Sequence, residues 1–178
     1  MSQRVVVFPR GINVGGHNKV PMPALRADLA NAGFSDVITI LASGNIVVTA
    51  PCASVSEAED RVRDVIFHSS GTEVECLSRS AEQMRAIAGY NPLGEIADDG
   101  SRHLVTFLSA PLPTELSEHI AAGDYSPNVH ALAEREMYSW APDGVKALKP
   151  TDKTLMSAGG IVATTRNWNT VEKIIAAL

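Results

Sequence analysis

Cysteine is scarce: Cys52 and Cys76 are the only two in 178 residues. Two thiols cannot build the disulfide framework of a small secreted domain, and both read as reduced. Met1 to Arg10 lacks the apolar stretch and cleavage site of a signal peptide. No apolar run approaches the length of a membrane span. Together these absences place the protein in the cytoplasm. Aromatic residues are few, with two Trp, three Tyr and four Phe. That is too thin for a platform that stacks successive bases of single-stranded nucleic acid. A basic excess is also missing. The net charge is −5, which argues against generic DNA or anionic-membrane binding, where cations must neutralise phosphate.

Catalytic and metal signatures are missing too. The histidines His17, His68, His103, His119 and His130 show no zinc-type spacing with the cysteines, so no metal is expected. No Gly-x-Ser-x-Gly elbow occurs. Cys52 and Cys76 have no identifiable histidine partner or thiolate-stabilising neighbours. Glu57, Glu59, Asp60 and Asp64 alternate with Arg61 and Arg63 at helical spacing, the usual pattern of a solvated face.

What is present is the make-up of a folded globular chain, 45% hydrophobic and 20% charged. Arg4 to Phe8 is a β-branched apolar run and reads as a buried strand. Pro9 to Val20 reads as a loop. Leu25, Leu29 and Ala32 share a helix face that Gly33 ends. Val37 to Leu41 and Ile46 to Thr49 read as a hairpin around Ser43-Gly44-Asn45, residues that tolerate the positive φ of tight turns. Ser54 with Glu57, or Ser56 with Glu59, caps a helix that Gly71 stops. Glu73 to Leu77 reads as a strand, and Ser80 with Gln83 caps the next helix.

After a linker the order begins again. Strand His103 to Leu108 and helix Thr114 to Ala122 come first. Val129 to Trp140 follows as two strands. A helix near Lys146 to Ser157, strand Ile161 to Thr165 and a final helix from Asn167 or Asn169 complete the repeat, and Asn169 with Glu172 resembles a capping box. The expected fold class is α+β: a tandem duplication of two ferredoxin-like (βαββαβ) subdomains with antiparallel sheets. The subdomains are placed at 1–91 and 102–178, joined by a linker at 92–101. The two halves could cover their remaining apolar surface against each other.

Two segments carry more specific polar residues than folding requires: Arg10-Gly11-Ile12-Asn13-Val14-Gly15-Gly16-His17-Asn18-Lys19 and Thr164-Thr165-Arg166-Asn167-Trp168-Asn169-Thr170. Together with Gly33-Phe34, Asp36-Val37 and Ser43-Gly44-Asn45, they resemble a bacterial family known as domain of unknown function 1697. The resemblance implies a tandem of ferredoxin-like subdomains and carries no established activity or cofactor. Family members tend to have Gln before Ser-Gly-Asn, where this chain has Ala42.

The first loop runs from a strand to a helix, where backbone N–H groups can hold an anion. Its spacing matches neither dinucleotide nor P-loop motifs. Yet Arg10, Asn13, His17, Asn18 and Lys19 crowd together, and the first acid of the chain is Asp28. In the plait topology the loop and the Ser43 to Asn45 hairpin should be neighbours. The leading expectation is a module for a small anionic or phosphorylated ligand. Arg10, Lys19 and Arg166 would supply charge. Gly11, Asn13, Gly15, Gly16, Asn18, Ser43, Gly44, Asn45 and Asn167 would complete the site. An enzyme using His17 as acid/base is the first alternative. A protein- or RNA-contact domain presenting Tyr138 and Trp140 on a sheet face is the second. Trp168, Asn169 and Thr170 read as packing and capping residues.

Overall fold

The computed structural model describes residues 2–15 and 18–178. The described residues form a mixed α+β fold with two four-stranded antiparallel sheets and six α-helices. The chain divides into two compact units, Met1–Ala88 with Lys173–Leu178, and Gly89–Glu172. No helix among the described residues is long and apolar enough to cross a membrane.

In the first unit the order is β1 (Gln3–Pro9), α1 (Met22–Asn31), β2 (Ser35–Ile40), β3 (Asn45–Ala50), α2 (Val55–Ser70), β4 (Cys76–Ser80) and α3 (Ala81–Tyr90), the last reaching past the unit's boundary. The sheet runs β2-β3-β1-β4, all pairs antiparallel. Strand side chains alternate between faces. Val5 and Val7 of β1, with Ile46 and Val48 of β3, pack on Leu25 and Leu29 of α1 and Val62 and Ile66 of α2. The intervening Val6, Phe8 and Val47 are fully buried as well. Burial on both faces is why β1 reads as an unbroken apolar run rather than an alternating one.

Helix ends follow local chemistry. Pro21 precedes α1, where a proline's missing N–H costs nothing. Ser54 rather than Ser56 caps α2, accepting from Glu57 N at 3.1 Å, while Glu57 Oε2 accepts from Ala53 N at 2.9 Å. Gly71 ends α2 in the left-handed region. Ser80 and Gln83 bond reciprocally, closing a capping box at α3. The chain's last residues are held to this unit by Arg4, whose guanidinium donates to Ala177 O at 2.9 Å.

Two expectations shift. The strand placed at Glu73 to Leu77 begins at Cys76, because its partner β1 ends at Pro9, opposite Cys76. The hairpin turn is the four-residue stretch 41–44, with Ile40 paired to Asn45. Leu41 therefore takes the positive φ (61°), and Asn45 is a buried strand residue whose side chain donates to Ile40 O at 2.9 Å.

The second unit repeats the pattern. It contains β5 (His103–Leu108), α4 (Thr114–Ala122), β6 (Val129–Leu132), β7 (Glu136–Trp140), a short 3-10 helix (Val145–Ala147), α5 (Asp152–Gly159), β8 (Ala163–Asn167) and the start of α6 (Trp168–Ala176). Its sheet runs β6-β7-β5-β8. Ile120 of α4 and Leu155 of α5 pack on Leu108, Met137 and Ala163. The helix looked for near Lys146 to Ser157 is split: Pro150 separates the 3-10 turn from α5, which Thr151 caps by accepting from Thr154 N.

Gly44 and Gly71 both adopt positive φ, 74° and 68°. A Cβ on Gly44 would fall inside contact distance of Ile12 Cδ1, whereas one on Gly71 meets nothing within 4 Å. Gly71→Ala should cost about 1 kcal/mol from backbone strain alone. Gly44→Ala should cost roughly 1–3 kcal/mol more through overpacking. Urea unfolding of both variants measures the difference.

Candidate functional site

The loop after β1 is built on its own asparagines. Asn18 Nδ2 donates to Gly11 O at 3.1 Å, and Asn13 N donates to Asn18 O at 3.1 Å. These bonds fold the loop back on itself. Arg10 and Lys19, the neighbours of Gly11 and Asn18 in the chain, are thereby brought to one end of the unit. Asn13 and Asn18 sit at positive φ (54° and 49°), a conformation asparagine tolerates better than most residues. Asn13 is the most heavily used: its Nδ2 donates to Val20 O at 2.9 Å and Ala42 O at 2.8 Å, and its Oδ1 accepts from Val20 N at 2.8 Å.

The bond to Ala42 O fastens the loop to the β2–β3 turn, and Ile12 Cδ1 approaches Gly44. The loop and the turn are therefore neighbours. Because the acceptor at position 42 is a backbone carbonyl, the side chain there takes no part in this fastening. Lys19, Gly15 and Asn18 are exposed, Gly11 opens onto free space, and Ser43 is half-buried. Arg10 is half-buried, and its backbone N–H donates to Glu75 O at 2.8 Å. Gly16 and His17 lie outside the described residues, and with them the proposed acid/base.

Arg166 and Asn167 belong to the second unit, where local duties engage them. Arg166 Nη1 donates to Thr164 Oγ1 at 2.7 Å and Thr165 O at 2.9 Å. Burial lowers its pKa to about 10, with the Asp152 carboxylate pulling the other way, so it stays cationic at neutral pH. Asn167 is the N-cap of α6: its Oδ1 accepts from Thr170 N at 3.0 Å and Thr170 Oγ1 at 2.8 Å. The cap thus sits at Asn167 and not in a box of Asn169 with Glu172, because the helix already begins at Trp168. Thr165 bonds Asp152 through both its N–H and its hydroxyl, tying β8 to α5.

Trp168 stacks on His103, with ring centroids 4.4 Å apart and planes 10° from parallel. His103 is 2% exposed, and its Nε2 has no hydrogen-bond partner among the described residues. Desolvation holds its pKa below the ordinary 6.5. His130 is lowered likewise by burial, with its bond to Lys149 O opposing.

Other candidates resolve into structure. Tyr138 is 1% exposed and meets the edge of Tyr90, so the Tyr138–Trp140 pair is no exposed aromatic platform. Both cysteines are buried. Burial, helped by Glu59, pushes the Cys76 thiol up to about 12, far from a reactive thiolate. Glu59 is not simply solvated: its Oε2 accepts from Ser78 Oγ at 2.6 Å. Arg79, which the sequence reading missed, is a fully buried guanidinium on β4 that donates to Ser78 O at 2.8 Å. Only its place between strand residues hinted at this. Among the described residues no group of three or more His, Cys, Asp or Glu could hold a metal ion. Two surface grooves along α2, of about 540 and 280 Å³, are lined by Arg63 with Asp64, Glu73 and Glu75, and by His68 with Asp28 and Asp64. In each the carboxylates outnumber the basic groups.

Residues 1–138 match the family described as "Protein of unknown function (DUF1697)", and the chain belongs to that family. The segment from Thr164 to Thr170 lies beyond the matched residues. A conserved bacterial protein, SP0830 from Streptococcus pneumoniae, shares the fold with a TM-score of 0.77 at 21% identity, over 99% of each chain. No curated protein matches.

Asn13→Ala removes three hydrogen bonds at once and should lower unfolding stability by roughly 2–3 kcal/mol, measurable in urea. In the second unit the sign for His103 is fixed by its depressed pKa. The unfolded chain takes up a proton near pH 6.5 while the folded state resists, so this contribution is present above that pH and is lost as pH falls. The melting temperature should drop from pH 7 to pH 5, and His103→Phe, which keeps a ring against Trp168, should flatten that slope.

Proposed function

We propose that this chain is a binding module for a small anionic or phosphorylated ligand, taken up where the Arg10–Lys19 loop meets the turn at 41–44. One observation carries the reading: the Asn18 to Gly11 bond closes the loop and brings together the chain positions next to Arg10 and Lys19. The absence of any acid before Asp28 supports it, as do the exposed Lys19 and Gly15. The side chains of Asn13, Asn18 and Asn45 bond to the backbone, so they shape the site. Ligand contacts fall to Lys19, Arg10, Ser43 and the glycine backbone, whose small residues let a ligand approach closely. Gly16 and His17 complete the same stretch of sequence. Arg166 and Asn167 are not needed for this reading.

The scaffold is read as a tandem of two ferredoxin-like plaits. The βαββαβ order in each unit and the strand orders β2-β3-β1-β4 and β6-β7-β5-β8 support that assignment. The buried free thiols fit a cytoplasmic protein.

A thermal-shift screen with nucleotides, sugar phosphates and polyanions tests the function. A specific ligand at a hundredfold excess over its Kd should raise Tm by about 5–10 °C. Lys19→Ala and Arg10→Ala should each weaken the hit by about tenfold, and added salt should weaken it further. An unmoved Tm across the whole panel would refute the proposal.

A further inference from the structure

The same end of the first unit carries aliphatic side chains that folding does not explain. Val14 is 59% exposed and Leu41 50% exposed. The Asn13 Nδ2 to Ala42 O bond of 2.8 Å joins the loop to the turn, and Val14 and Leu41 are the next residues on either side of it. The Asn13 N to Asn18 O bond likewise sets Val14 beside the stretch that carries Lys19. Leu41 is costly twice over: it exposes an apolar side chain and holds a non-glycine backbone at φ 61°. Glycine or asparagine would meet the same turn geometry without either cost. Strained residues of this kind concentrate where a ligand is clamped.

Resting on the anion-binding reading above, we infer that the ligand is an organic phosphate whose phosphate is followed by an apolar ring or chain, covered by Val14 and Leu41. Lys19 and the glycine backbone meet the charge, and the two aliphatic side chains meet the remainder. The asparagine side chains are committed to the backbone. Of these only Asn18, which is exposed and has one donor engaged, keeps amide capacity to spare, so polar recognition beyond the phosphate is thin and apolar surface carries the selectivity.

Titration calorimetry on the full chain with four probes tests this: inorganic phosphate, glucose 6-phosphate, phenyl phosphate and hexyl phosphate. Phenyl phosphate, hexyl phosphate or both should bind at least about tenfold more tightly than the two polar probes, the effect of burying roughly 60 Å² of apolar surface. Which of them does so tells ring from chain. Val14→Ser and Leu41→Ser should remove that advantage, whereas Lys19→Ala should weaken all four. Equal affinity for all four probes overturns the inference and leaves the anion reading standing. No binding of any probe overturns both. Because the comparison among probes uses the unaltered chain, it does not depend on how well the variants fold.

Discussion

The side chain of Asn13 is the constraint on which the site depends. A loop of this length with three glycines has no reason to hold one shape. Here one amide occupies two carbonyls and one N–H. It converts a flexible connection into a rim fixed against the β2–β3 turn. The Asn18 to Gly11 bond closes the loop itself, and the Asn13 bond to Ala42 O sets it against the turn. The sheet beneath supplies the rest, because the core of Val5, Val7, Ile46 and Val48 fixes where β1 ends and where the turn stands.

The C-terminal segment teaches the opposite lesson. Thr165, Arg166, Asn167 and Trp168 look as specific as the first loop, yet each has a local task. Thr165 ties β8 to α5, and Asn167 caps α6. Trp168 covers a histidine whose ring nitrogen is unsatisfied. A buried ring nitrogen without a partner is expensive, and burial disfavours the charged imidazole.

Element order was legible in the sequence because each strand and helix carries its own period and punctuation. The Ser80–Gln83 and Ser54–Glu57 boxes and the Gly71 stop were readable for the same reason: they are chemistry between near neighbours. What escaped was set by partners distant in the chain. The start of β4 is dictated by Pro9. The left-handed residue of the turn is Leu41, because pairing of Ile40 with Asn45 fixes the turn at four residues. Burial of Arg79 depends on which face of β4 is covered, and no local pattern reports it. At the site, the nearness of loop and turn could be read from topology, but the role of the asparagines could not. Their spacing fits ligand contact and self-capping equally, and only the bond geometry decides.

The most direct test of the account is a map of backbone amide shifts by heteronuclear NMR as pyrophosphate is added. The account predicts saturable shifts concentrated at residues 10–20 and 41–45, with the amides of α2 and β8 unmoved. Shifts centred on α2 or β8, or none in the loop at millimolar pyrophosphate, would contradict it.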